Sequence, residues 1–191
     1  MKIDGNEPSP PSGLIIRRAR PDEHVALGQL LVAAYAGLPG MPTAEEQPAY
    51  YAMLADVPAR AARPALTVFV ATGDAGELFG SIDFIADMTQ YGSGGPADTI
   101  ADAAGIRLLA VNDDFRGKGV GKALTRFCIE RAREAGKARL VLHTTRIMQA
   151  AWAMYQGLGF VRFPEIDFRQ GNLDVFGFRL DLAVTAPDAL A

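Results

Sequence analysis

Val111-Asn-Asp-Asp-Phe-Arg116-Gly-Lys-Gly119-Val-Gly121-Lys-Ala-Leu124 follows the apolar run Arg107-Leu-Leu-Ala-Val111 and precedes an amphipathic stretch. It reads as a strand, a short acidic turn, then a helix opened by three alternate glycines. Gly117, Gly119 and Gly121 admit backbone conformations and close approaches that a Cβ would block. The first turn of a helix carries unpaired N–H groups and the positive end of the helix dipole. Together these make a cradle for a phosphate or pyrophosphate. Arg116, Lys118 and Lys122 surround it, and cations at a helix start oppose the dipole unless an anion offsets them. A turn kept for packing alone is the plain alternative.

Spacing excludes two common nucleotide loops. A P-loop needs GxxxxGK followed by Ser or Thr, but Gly121-Lys122 is followed by Ala123, and Arg116 stands five residues before Gly121. The missing hydroxyl also disfavours a nucleotide-dependent switch protein. A dinucleotide fingerprint needs GxGxxG and an acidic residue at the end of the next strand. Here the glycines run GxGxG, and the next strand, Arg139-Leu-Val-Leu-His143, ends in histidine.

Composition narrows the classes further. The chain has 191 residues, 49% of them hydrophobic, enough for one domain with its own core. A net charge of −3 without a basic stripe argues against a nucleic-acid partner. One cysteine, Cys128, allows no internal disulfide and fits the cytoplasm. It falls mid-helix beside Phe127 and Ile129, which suits a buried, inert thiol. Two histidines, His24 and His143, give no metal-ligand spacing, so no metal is expected. No segment reads as a signal peptide or membrane span, and no membrane partner is expected.

The organisation expected is a disordered leader over 1–13, one domain over 14–183 and a loose tail over 184–191. Leu14–Arg18 is a strand. A helix follows from Pro21 with Asp22 as its cap, ending near Gly37. A second helix over Thr43–Leu54 opens on Thr43-Ala-Glu-Glu46, a capping box, although Pro48 can shift its start. Pro58–Pro64 reads as a loop. Leu66–Ala71 and Leu78–Ala86 form an antiparallel hairpin about the Gly73–Gly76 turn. A long loop runs from Asp87 to Gly105. Strands Arg107–Val111 and Arg139–His143 flank the helix Gly119–Ala135 and must pair in parallel. A helix over Gln149–Leu158, stopped by Gly159, leads into a last β pair, Phe160–Phe163 and Asp174–Leu182.

A second block, Ala151-x-x-x-Tyr155-x-x-x-Gly159-Phe160, supports the loop. With Arg116-x-x-Gly119-x-Gly121 after Leu109-Ala110-Val111, it resembles the cofactor site of the GNAT superfamily of N-acetyltransferases. The resemblance covers Leu14 to Leu182 and is sharpest between Arg107 and Phe160. It implies a mixed α/β fold: a mostly antiparallel sheet with two splayed parallel central strands, flanked by about four helices. It also implies acetyl-coenzyme A as cofactor and a small-molecule or peptide amine as acceptor.

In that family reading, the N–H groups of Gly117, Lys118, Gly119, Val120, Gly121 and Lys122 hold the pyrophosphate beside Arg116. The backbone of Leu109, Ala110 and Val111 pairs with the amides of the pantetheine arm. Tyr155 is the expected general acid for the leaving thiolate, and a core tyrosine is its alternative. A primary amine of pKa ~10.4 is neutral in only about one molecule per thousand at pH 7, so a proton must be removed. His143 is the expected base, with Asp83, Asn112, Asp113 and a water chain in reserve. Met148 stands where many relatives carry an asparagine, which puts one polar contact in doubt. Trp152 is expected to pack the helix on the sheet. Asp83, Asp87, Asp98 and Asp102 fall on substrate-side loops and suit a cationic acceptor. The final strands offer the edge for a homodimer. A non-catalytic acyl-coenzyme A sensor is the alternative function.

Overall fold

The computed structural model describes residues 10–182, so the first nine residues of the expected leader and the whole expected tail lie outside it. Residues 10–13 form a turn in which the Leu14 N–H donates to the Pro11 carbonyl. From there the chain forms β1 (Ile15–Arg18), α1 (His24–Ala36), α2 (Pro48–Ala55), α3 (Val57–Ala61), β2 (Leu66–Thr72) and β3 (Leu78–Ile85). It continues with β4 (Ala103–Val111), α4 (Val120–Glu134), β5 (Arg139–Thr144), α5 (Gln149–Gly157), β6 (Val161–Arg162), β7 (Phe168–Gln170) and β8 (Leu173–Asp181). The strands make one sheet in the order β1-β2-β3-β4-β5-β8-β6, with β7 paired to β8. Every pairing is antiparallel except β4–β5, which the crossover through α4 makes parallel. This is the mixed α/β architecture expected from the sequence, with five α-helices over the described residues.

Two apolar cores cover the two sheet faces. On one, Leu27, Leu31 and Tyr35 of α1 and Tyr51 and Leu54 of α2 pack over Val68, Val70 and Val141. On the other, Leu124, Cys128 and Ala132 of α4, with Tyr155 of α5, cover Ile82, Ala104, Ile106, Leu140 and Leu142. The spacing 124, 128, 132 is one stripe of a helix, which is why α4 presents a continuous apolar face. Its outer face carries the ion pairs Glu130–Arg133 and Arg131–Glu134 at i,i+3.

Several boundaries differ from the expectation. A 3-10 turn over Pro21–Glu23 precedes α1, and Asp22 is not its cap; the Glu23 carboxylate instead accepts from the Arg20 N–H. The capping box at Thr43 and Glu46 does form, with bonds of 2.8 and 3.3 Å. It caps a single turn, and α2 restarts at Pro48 because a residue before proline avoids helical geometry. The expected loop from Pro58 contains α3, whose first turn is held by the Asp56 carboxylate accepting from the Ala59 N–H at 3.0 Å. Two 3-10 turns, Met88–Gln90 and Pro96–Thr99, occupy the long loop.

The most consequential correction concerns β4. It starts at Ala103, and its parallel pairing with β5 covers Ala103–Ile106 against Arg139–Leu142, not Arg107–Val111. Past that point β4 follows β3 and β5 follows β8, so the two central strands fork. The cause is a bulge. Asp83 faces Arg107 and Ser81 faces Ala110, so β4 spends an extra residue over this interval. Leu108 adopts φ +52°, left-handed geometry that a side chain disfavours. The bulge increases the local twist and turns β4 away from β5.

Leu108 is buried, and its shape is matched to this bulge. Leu108→Val should lower stability by about 2–3 kcal/mol in urea denaturation. About 0.8 of that is the lost methylene, and the rest is the β-branched residue forced to positive φ. A loss below about 1 kcal/mol would show that the bulge does not constrain the fold.

Candidate functional site

A cleft of about 910 Å³ opens where β4 and β5 part. Its floor is Leu109, Ala110 and Val111; one wall is the loop into α4, another is the start of α5, and Ala34, Tyr35, Leu38 and Pro39 close the far side. The volume lies within the range of small-molecule and cofactor sites.

Gly119 is the N-cap of α4 and has φ +75°, which explains glycine at that position. The first helical bond runs from the Ala123 N–H to the Gly119 carbonyl at 2.9 Å. Val120, Gly121 and Lys122 form the first turn; the N–H groups of Val120 and Gly121 have no acceptor within the helix, and Gly119 offers no side chain to cap them. All three residues line the cleft, with Arg116, Gly117 and Gly119 beside them. Of the loop residues singled out from the sequence, Lys118 alone stays off the lining. Its N–H donates to the Phe115 carbonyl at 3.3 Å, and its ammonium sits 5.1 Å above the Phe115 ring. Arg116 pairs with exposed Asp113 at 2.9 Å. Asn112 is committed to the turn: its amide donates to the Leu78 carbonyl and its oxygen accepts from the Asp114 N–H.

The inner half of the cleft is apolar. Ile147, Met148, Ala151 and Met154 face Leu109 and Val111 across it. Met148 thus stands in the wall as a thioether, offering packing where an amide would offer hydrogen bonds. Trp152 turns away, stacking edge-on to Phe176 and Phe178 at 5.5 and 4.8 Å, with the Arg146 guanidinium 4.5 Å over its ring. It packs helix on sheet.

Tyr155 and His143 are not on the cleft lining. Tyr155 is 6% exposed behind Ala151 and packs against Phe160. Burial pushes its phenol above the usual value, with lesser contributions from Tyr91 and Cys128. It also acts on Tyr35, which does line the cleft. Cys128 is fully buried, and burial raises its thiol too.

His143 lies one residue past the last β4–β5 pair, yet both its nitrogens are engaged. Nε2 donates to the Ile166 carbonyl at 2.8 Å, since a carbonyl only accepts; Nδ1 then accepts from the Tyr91 hydroxyl at 3.1 Å. Burial lowers its pKa, so the ring is neutral at pH 7. Both ring nitrogens are thus hydrogen-bonded within the chain. Asp83 is 2% exposed and paired with Arg60 at 2.9 Å. Among the described residues no cluster of His, Cys, Asp and Glu could hold a metal, and no helix is long and apolar enough to cross a membrane.

Sequence reasoning missed Tyr35, Tyr50 and Arg107. Tyr35 ends an apolar helix face, and its ring meets that of Tyr50 edge-on with centroids 6.0 Å apart. Its signal was available, since an aromatic at the end of an apolar helix face faces whatever the helix covers.

Comparison with known proteins agrees with this geometry. The family model described as "Acetyltransferase (GNAT) family" matches residues 27–160. N-acetyltransferase family 8 member 2 of Rattus norvegicus is 36% identical over 78 residues, 39% of this chain and 34% of that protein. N-acetylaspartate synthetase of Danio rerio is 42% identical over 62 residues, 32% of this chain and 22% of that protein. The chain therefore matches about a third or less of the length of these curated relatives. Among solved structures, the paia N-acetyltransferase of Thermoplasma acidophilum in complex with coenzyme A aligns with a TM-score of 0.68 at 15% identity, covering 88% of this chain and 99% of that one. With a family model spanning most of the chain and the forked sheet in place, the chain belongs to the acetyltransferase (GNAT) family.

Proposed function

We propose that this chain is an acyltransferase that moves an acetyl group from acetyl-coenzyme A to a primary amine by direct attack in a ternary complex. The domain carrying this activity spans 14–183. One observation carries the reading: the N–H groups of Val120 and Gly121 at the start of α4 and the edge of β4 that no strand covers converge on a single cleft. That pair of features suits a ligand with a diphosphate at one end and amides along its arm. A bound acetyl-coenzyme A supplies a thioester that an amine can attack.

Val120, Gly121 and Lys122 would hold the diphosphate through their N–H groups, and Leu109–Val111 would bond the arm as an added strand. Met148 and Met154 exclude water from its apolar part. Tyr155 stands off the cleft lining, so as the C–N bond forms and the C–S bond breaks it would protonate the leaving sulfur through an intervening water and be reprotonated from solvent. Burial keeps Tyr155 protonated well above neutral pH, as a donor requires. The amine's proton leaves to water in the open cleft, and His143 serves as a positioning residue that holds Tyr91 at the fork.

An acyl-coenzyme A sensor without turnover is the second reading, favoured by the engaged nitrogens of His143. Tyr155→Phe separates the two. It should lower kcat by about 10²–10⁴ while acetyl-coenzyme A affinity stays within about threefold. Wild-type protein without turnover on any amine would establish the sensor.

The cradle is tested by binding. At a hundred times its Kd, acetyl-coenzyme A should stabilise the fold by about 2.7 kcal/mol, a rise of roughly 5–10 °C in Tm. Gly117 has φ +73° and open space where a Cβ would stand, so Gly117→Asp fits without a clash. Its carboxylate should repel the diphosphate and weaken binding at least about tenfold, beyond the about 1 kcal/mol that a side chain at this positive φ costs the unliganded fold. Equal binding by both proteins would place the diphosphate elsewhere.

The role of His143 is read from pH profiles. Its pKa lies below 6.5, so as a base it would give kcat/KM an acidic limb below that pH. In the reading above, His143→Ala lowers kcat/KM less than about tenfold and leaves the profile's shape unchanged. Loss of an acidic limb in that variant would restore histidine as the base.

A further inference from the structure

We infer that Arg107 makes the acceptor side of the fork selective for an amine that also carries a carboxylate, an inference that rests on the acetyl-transfer reading above. The cradle lies on the α4–α5 face of the sheet, which leaves the α1 face, where Tyr35 lines the cleft, for the acceptor. Arg107 is the first β4 residue past the last β4–β5 pair and is half-buried. Its guanidinium lies 5.5 Å from the centre of the Tyr91 ring. Nη1 donates to the Tyr91 and Gly92 carbonyls at 2.7 and 2.8 Å, which fixes the group beside Tyr91, just outside the cleft lining. Its charge acts on Tyr35, Tyr50 and His143 together.

The sign of the local potential follows from what the nearby carboxylates are doing. Asp83 sits opposite Arg107 across the strands but is buried against Arg60, and Arg63 also acts on it. Three guanidiniums therefore share one carboxylate, and the buried Arg60 Nη2 has no acceptor. Asp167 is taken by Arg162 at 2.6 Å and by the Gly177 N–H. Two of the other substrate-side aspartates lie at the closed end of the fork. Asp87 is exposed and faces Lys137, and the Asp102 carbonyl accepts from the Ala138 N–H just before β5. Neutral His143 adds no charge. A surplus of positive charge in a partly desolvated cleft attracts an anionic group and repels a second ammonium. A planar guanidinium with one edge pinned and another edge uncommitted among the described residues is suited to a carboxylate.

The test compares acceptors with the purified chain and acetyl-coenzyme A: α- and ω-amino acids, the amides of the same acids, and linear polyamines such as spermidine. The amino acids should exceed their amides in kcat/KM by at least about tenfold. Arg107→Gln should raise KM for the acids about ten- to a hundredfold while the amides stay within about threefold, and Arg107→Lys should recover part of the preference. Equal losses on acids and amides would make Arg107 a purely structural residue and overturn the inference. A wild-type preference for polyamines would overturn it as well, with acetyl transfer left standing. Transfer to none of the three sets, with acetyl-coenzyme A still raising Tm, would overturn acetyl transfer and this selectivity together.

Discussion

Between Ile106 and Ala110 the β4 backbone spends one residue more than β3 does, and the left-handed turn at Leu108 absorbs the excess. A regular β4 would stay beside β5 and bury the peptide groups of both strands in a continuous ladder. Instead β5 keeps its bonds to β8, β4 keeps its bonds to β3, and the inner edges of both go without a strand partner. Unpaired peptide groups are costly once water is excluded. The fork therefore pays its way only if something with matching donors and acceptors fills it. The same excess residue also lets Arg107 and Leu108 emerge beside the fork rather than on alternate faces.

The start of α4 is tied to this geometry by chain length alone. Between Val111 and Val120 the chain makes one 3-10 turn, Asp113–Phe115, and the glycine-rich step. That brings the helix start back over the β4 end it has just left. Donors at the helix start and the β4 edge are consequently parts of one surface. Gly121 lies against this surface, since a Cβ there would stand 3.5–3.7 Å from Val111, Met154 and Leu109.

This division explains what the sequence disclosed. The glycine loop, the α4 stripe and the parallel crossover depend on residues close in the chain, and local patterns record them. The strand beginning at Ala103 was hidden because Ala103-Ala104-Gly105 has weak strand propensity; it is a strand because Ile85 and Arg139 flank it. α3 was hidden by Pro58, which breaks a helix interior yet is at home in a first turn. The bulge leaves no trace in Arg107-Leu108-Leu109. His143 looked like a free base because its partners, Tyr91 and Ile166, are remote in sequence. Asp83 looked available for the same reason, since Arg60 reaches it only through α3.

The immediate surroundings of Tyr155 bear on how a leaving sulfur could be accommodated. Arg60, Arg63 and Arg107 act on the α1 face, whereas the groups that act on Tyr155 are its own apolar burial, Tyr91 and Cys128. An anion released beside Tyr155 would meet no cation among them, and a bare charge in such surroundings is expensive. Protonation as the bond breaks removes that cost. The same burial that raises the Tyr155 phenol would raise a thiol's pKa, so donor and acceptor shift in the same direction and the proton transfer stays near balance.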